Sequence, residues 1–160
     1  QGLKSASIYM FIYLVMNIAV FSIILSLKKS NSYVEKISEL SGLSKSNPII
    51  SACLAIIMLS MAGIPPFIGF FGKFYVFIAA VESQLYSLAV LGVLASVISA
   101  FYYLRIIKGM YFDDPKESEI FEFTISSEAK VILTIFMFII SFFILNPNLL
   151  TNIVANISLI

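Results

Sequence analysis

Histidine is absent from this 160-residue sequence, and cysteine occurs once, at Cys53. Those shortages exclude a disulfide framework within the chain and leave no cysteine/histidine set to hold a metal. Cys53 lies in an apolar run, where a small buried side chain is its expected role. Charge is also scarce: 12% of residues are ionic, against about 25% in soluble domains. With 60% apolar residues and a mean hydropathy of +1.01, an ordinary soluble domain is excluded and an integral membrane protein follows. The formal net charge of +1 gives no reason to expect a nucleic-acid partner. The sequence opens at Gln1, and no basic segment with a cleavage site precedes its first apolar run. A signal peptide is therefore not expected, and a piece of a longer protein is.

What the sequence has in abundance is uninterrupted apolar length. From Ile49 to Val81 the only charged side chain is Lys73. A straight helix of that length would reach roughly 50 Å, beyond the hydrocarbon core of about 30 Å. Gly63-Ile64-Pro65-Pro66 interrupts the run, followed by Gly69 and Gly72. Two prolines remove two backbone donors and clash with the preceding turn, and glycines loosen the backbone around them. The expected object is a broken transmembrane helix with a lysine about seven residues past the break. Non-helical backbone at membrane depth must be lined by protein or water, and a lysine there must face the same surroundings. An amine held in that position can take up and release a proton. The alternative, a lysine that snorkels to the interface, is disfavoured by distance: Glu82 marks the exit about 13 Å further on if the segment is helical.

The remaining runs set the fold class, an all-α polytopic transmembrane bundle forming one membrane domain over residues 1–160. Spans are expected at about 5–27, 48–81, 85–108 and 129–147, the second broken at Gly63-Pro66. Asn17 is the strongly polar residue of the first span and is expected to bond a neighbouring helix. Between Ser30 and Asn47, Val34, Ile37, Leu40 and Leu43 recur every third residue among Glu35, Lys36 and Glu39, which suggests a short surface helix. Asn47-Pro48 reads as an N-cap followed by a first-turn proline. Tyr102, Tyr103 and Tyr111 near the end of the third span are expected to anchor at the headgroups. The acidic stretch with Asp113, Asp114, Glu117, Glu119, Glu122 and Glu128 lacks a fixed ligand spacing and reads as a solvated loop. Leu149 to Ile160 reads as an interfacial tail.

Basic residues decide how the broken segment runs. If it crosses once, Lys28, Lys29, Lys36, Lys45, Arg105, Lys108, Lys116 and Lys130 share one side and Lys4 alone takes the other. If it folds back as a hairpin, that bias vanishes. The positive-inside rule favours one crossing, with both basic loops cytoplasmic and both termini outside.

Met58-Leu59-Ser60-Met61-Ala62-Gly63-Ile64-Pro65-Pro66, followed by Gly69-Phe70-Phe71-Gly72-Lys73-Phe74-Tyr75, resembles the broken helix near the end of subunit N in the antiporter-like membrane subunit family of respiratory complex I, the proton-pumping NADH-quinone oxidoreductase. The likeness extends through Ile37-Ser38-Glu39-Leu40-Ser41-Gly42-Leu43, Asn47-Pro48 and Tyr102-Tyr103-Leu104-Arg105. It covers the last four membrane helices of that subunit. The resemblance implies a subunit that moves protons across a bacterial or mitochondrial inner membrane, driven by electron transfer from NADH to quinone in partner subunits. It implies a place for Lys73 in the proton path. NADH, FMN, iron-sulfur clusters and the quinone chamber would belong to those partners, and no cofactor to this chain. Two alternatives remain open: a subunit of a multi-subunit cation/proton antiporter, and a membrane assembly element or remnant without transport of its own.

Overall fold

The first apolar run folds as α1 (Gly2–Ile24). In the computed structural model, which describes residues 2–29, 32–114 and 126–145, its buried side chains Ile8, Ile12, Met16, Ala19 and Ile23 recur at three- and four-residue spacing, one stripe facing the core. Polar side chains on α1 bond back to their own helix: Ser7 to the Leu3 carbonyl, Ser22 to that of Ile18, and Asn17 Nδ2 to that of Tyr13 at 2.8 Å. Asn17 thus satisfies itself one turn back instead of reaching a neighbouring helix, as hydrogen-bonding side chains in apolar helices can. The helix closes when the Ser26 and Leu27 amides bond carbonyls three residues back, leaving Leu27 buried.

The next segment corrects the expected surface helix. Lys28–Lys29 (β1) pairs antiparallel with Ser32–Tyr33 (β2), and the Lys28 ammonium sits 5.2 Å from the Tyr33 ring centroid. A single 3₁₀ turn follows at Ile37–Leu40, then α2 (Leu43–Ser46), separated by Gly42 in the left-handed region. An apolar residue at every third position is the period of a 3₁₀ helix, not an α-helix. Leu40 and Leu43 are buried in the core, whereas Ile37 is exposed.

α3 (Pro48–Ala62) starts with its proline in the first turn, but the Asn47 side chain makes no capping bond; its carbonyl accepts the Ser51 amide instead. Cys53 on this helix is half-buried, not fully enclosed. After the break come α4 (Ile68–Glu82) and α5 (Tyr86–Phe112). The Gly42 amide donates to the Gly109 carbonyl at 3.2 Å, and Lys45 Nζ donates to Asp114 Oδ1 at 2.5 Å. These bonds tie the segment before α3 to the end of α5. The two half-helices therefore advance in the same sense and α5 returns alongside them, which gathers Lys28, Lys36, Lys45 and Lys108 at one end. The Lys45 hydrogen bond, and then its charge, hold the exposed Asp114 carboxyl below its ordinary value.

α6 (Ser127–Leu145) packs on α1 and adds Leu133 and Ile140 to the core. Pro115 to Glu122, the expected span end at Asn146-Pro147 and the 149–160 tail lie outside the described residues. Among the described residues, α1 and α5 are each long and apolar enough to cross a membrane. On α5 only Ala89 and Met110 are buried, while Leu91, Leu94, Ile98 and Phe101 are exposed. Such an apolar outer surface suits hydrocarbon.

Candidate functional site

α3 ends in a Schellman turn. Gly63 adopts φ +82°, its amide bonds the Ser60 carbonyl, and the Ile64 amide bonds that of Leu59. Beyond them in the chain stand Pro65 and Pro66, joined by a cis bond, which have no N–H to offer. The next two carbonyls of α3, those of Met61 and Ala62, are taken by an amine: Lys73 Nζ donates to them at 3.0 and 3.3 Å. A helix C-terminus carries partial negative charge, so an ammonium is the complementary cap. Side chains on a helix lean toward its N-terminus, which sends Lys73 of α4 back toward the end of α3. Among the described residues no carboxylate pairs with it.

The break is held tight by close backbone approach. Ser60, fully buried, accepts the Gly69 amide on Oγ at 3.1 Å and donates to Met16 Sδ of α1 at 3.2 Å. A Cβ on Gly69 would lie 1.9 Å from the Ser60 carbonyl oxygen, so only glycine fits there. Gly69 and Lys73 are one turn apart on the same face of α4, and this contact sets how near Lys73 comes to the two carbonyls. Gly72 plays the same part toward α1, where an added Cβ would stand 3.1 Å from Ile12 and 3.4 Å from Tyr9. A Cβ on Gly63 would press on the Lys73 side chain itself, 3.0 Å from Cδ.

Lys73 faces a cavity of about 380 Å³ between α1, α4 and α5, with Tyr9, Tyr13, Ser96, Ser99 and Tyr103 in its wall. Tyr9 and Tyr13 stack with ring centroids 6.0 Å apart. The expected headgroup role of Tyr103 is corrected here: it is half-buried on this wall, while Tyr102 and Tyr111 are exposed. Sequence reasoning missed Ser60 and the polar wall. Hydroxyls placed in otherwise apolar runs were the available signal. A phenol- and hydroxyl-lined cavity ending on an amine can hold water and pass protons between oxygen and nitrogen.

The chain matches the model of the family described as NADH:quinone oxidoreductase/Mrp antiporter, TM, over residues 1–99. Among similar curated proteins, NADH-quinone oxidoreductase subunit N of Parvibaculum lavamentivorans is 56% identical over 117 residues, covering 73% of this chain and 24% of its own. The protein of the same name from Pelagibacter ubique is 48% identical across 100% of this chain and 34% of its own. The chain thus spans about a quarter to a third of these relatives. Respiratory complex I from Thermus thermophilus with bound aureothin shares the fold at a TM-score of 0.74 and 23% identity, over 91% of this chain and 33% of that one. The Mrp complex from Dietzia sp. aligns at a TM-score of 0.64 and 28% identity, over 72% of this chain and 21% of that one. The chain belongs to the NADH:quinone oxidoreductase/Mrp antiporter transmembrane family.

Proposed function

We propose that this chain forms part of a membrane subunit of proton-pumping NADH:quinone oxidoreductase and carries a section of its proton path, with Lys73 as the relay. The observation that carries the reading is the bond from Lys73 Nζ to the Met61 and Ala62 carbonyls beside the hydroxyl-lined cavity. Gly63, Pro65, Pro66, Gly69 and Gly72 make the break. They leave two carbonyls without backbone donors and bring α4 close enough for the amine to reach them.

A proton arriving along the Tyr9, Tyr13, Ser96, Ser99 and Tyr103 wall is taken up by the neutral amine. The ammonium is then held by the two carbonyls, and hydrogen bonds to a charged group are worth about 1.5–3 kcal/mol each. Weakening that contact favours release. Oxidation of NADH, with its FMN and iron-sulfur clusters, and reduction of quinone belong to partner subunits in the same inner membrane. The chain's share is to hold and hand on the proton. Its helices act as one membrane domain in which α3 and α4 together make a single crossing, with the basic end cytoplasmic.

Replacing Lys73 with Met in the assembled complex tests the reading: NADH-driven proton translocation into inverted vesicles falls well below wild type. Unchanged translocation contradicts it. The likeness to the Mrp complex favours a second reading, a subunit of a multi-subunit cation/proton antiporter. Cation-dependent proton efflux without NADH oxidation in the purified assembly would select it.

A further inference from the structure

Lys73 borders a second cavity of about 230 Å³, and among the described residues only Lys73, Phe77 and Ser96 belong to both walls. The two spaces differ in chemistry. Three phenols and two serines line the first, whereas the second adds Phe70, Phe74, Val93, Val97 and Ala100 to the shared residues and the Ala62-Gly63 turn. Water needs two to four polar partners to stay in a cavity, and apolar cavities remain dry. The first cavity is therefore the better place for water, since in the second only the shared Lys73 and Ser96 side chains offer polar partners.

Phe77 lies one turn beyond Lys73 on the same face of α4, and its ring rests on Gly92 of α5. A Cβ at Gly92 would stand 2.8 Å from Phe77 Cε1, so the absence of a side chain there is what seats the ring. Ser96 is one turn further along α5 from Gly92, so the ring and the serine share the boundary between the two spaces.

We propose that Phe77 is a gate: its ring, seated on Gly92, separates the hydroxyl-lined side of Lys73 from the largely apolar side, so that the amine exchanges protons with one side at a time. Apolar constrictions close pathways by excluding water, and a phenylalanine ring leaves its seat by a rotamer change without breaking a hydrogen bond. The proposal rests on the reading of Lys73 as relay.

The experiment uses vesicles carrying the full assembled complex, given a pH gradient without NADH, and follows the decay of that gradient. Phe77→Ala speeds the decay several-fold over wild type, Phe77→Leu does not, and adding Lys73→Met to Phe77→Ala restores the wild-type rate. Gly92→Ala unseats the ring while keeping it, and raises the leak by a smaller factor; it carries the test if Phe77→Ala does not assemble. Wild-type decay in the assembled variants overturns the gate and leaves the relay standing. A leak that persists in the double variant overturns it too, because the ring would then seal a path that bypasses Lys73. Failure of the relay itself shows separately, as unchanged NADH-driven pumping in Lys73→Met.

Discussion

Ser60 and Gly69 meet across the break in the membrane helix: the serine hydroxyl accepts the glycine amide at 3.1 Å, and its carbonyl oxygen occupies the space where a glycine side chain would begin. Gly69→Ala forces a backbone shift, since the obstructing atoms belong to the main chain. Overpacking of this kind destabilises by about 1–3 kcal/mol. The expected outcome is a lower melting temperature of the purified assembly together with reduced pumping. An unchanged melting temperature would show that the half-helices are not held by this contact.

Ser60→Ala keeps the volume nearly constant but leaves the Gly69 amide buried without an acceptor, at a penalty of about 1–3 kcal/mol. Pumping falls because α4 no longer holds Lys73 over the Met61 and Ala62 carbonyls. Steady-state proton translocation at equal complex content checks this, and wild-type values would remove Ser60 from the account.

Gly63→Ala meets two obstacles at once. A left-handed backbone costs an alanine about 1–2 kcal/mol, and the new methyl presses on the Lys73 side chain. Proton translocation is expected to drop further than assembly does. Loss of both in proportion would mean that Gly63 serves folding alone.

The Lys45–Asp114 pair makes a prediction at the membrane surface. Its carboxyl is held below the ordinary value of 3.8, so the pair's contribution is present at neutral pH and disappears only as pH falls through that depressed value. Both side chains are largely exposed, so neutral-pH stability is insensitive to Asp114→Asn. An NMR titration of the Asp114 carboxyl should give a midpoint under 3.8, and a midpoint at or above it contradicts the pairing.

The break was legible in the sequence because its causes are local: Gly63, Pro65 and Pro66 act through their own backbone chemistry. Lys73 stood out as a lone charge in apolar surroundings. Ser60 did not, since hydroxyls in apolar helices usually bond their own carbonyl one turn back, as Ser7, Ser22 and Ser99 do here. Tyr103 was misplaced for a related reason. A tyrosine near a helix end looks like an interfacial anchor, and only the cavity between α1, α4 and α5 places it on one wall with Tyr9 and Tyr13. The segment after α1 was misjudged because three-residue spacing was read as one short surface helix, whereas it is the 3₁₀ period and the chain forms a strand pair, a 3₁₀ turn and one α-turn there.

The most direct test of the central claim is the number of protons moved per NADH oxidised by the assembled complex when Lys73 is replaced by Met and by Arg. Both replacements remove an exchangeable amine, and Arg keeps the charge without releasing a proton. The account predicts that both lower the ratio while the complex still assembles. A wild-type ratio in either assembled variant would contradict it.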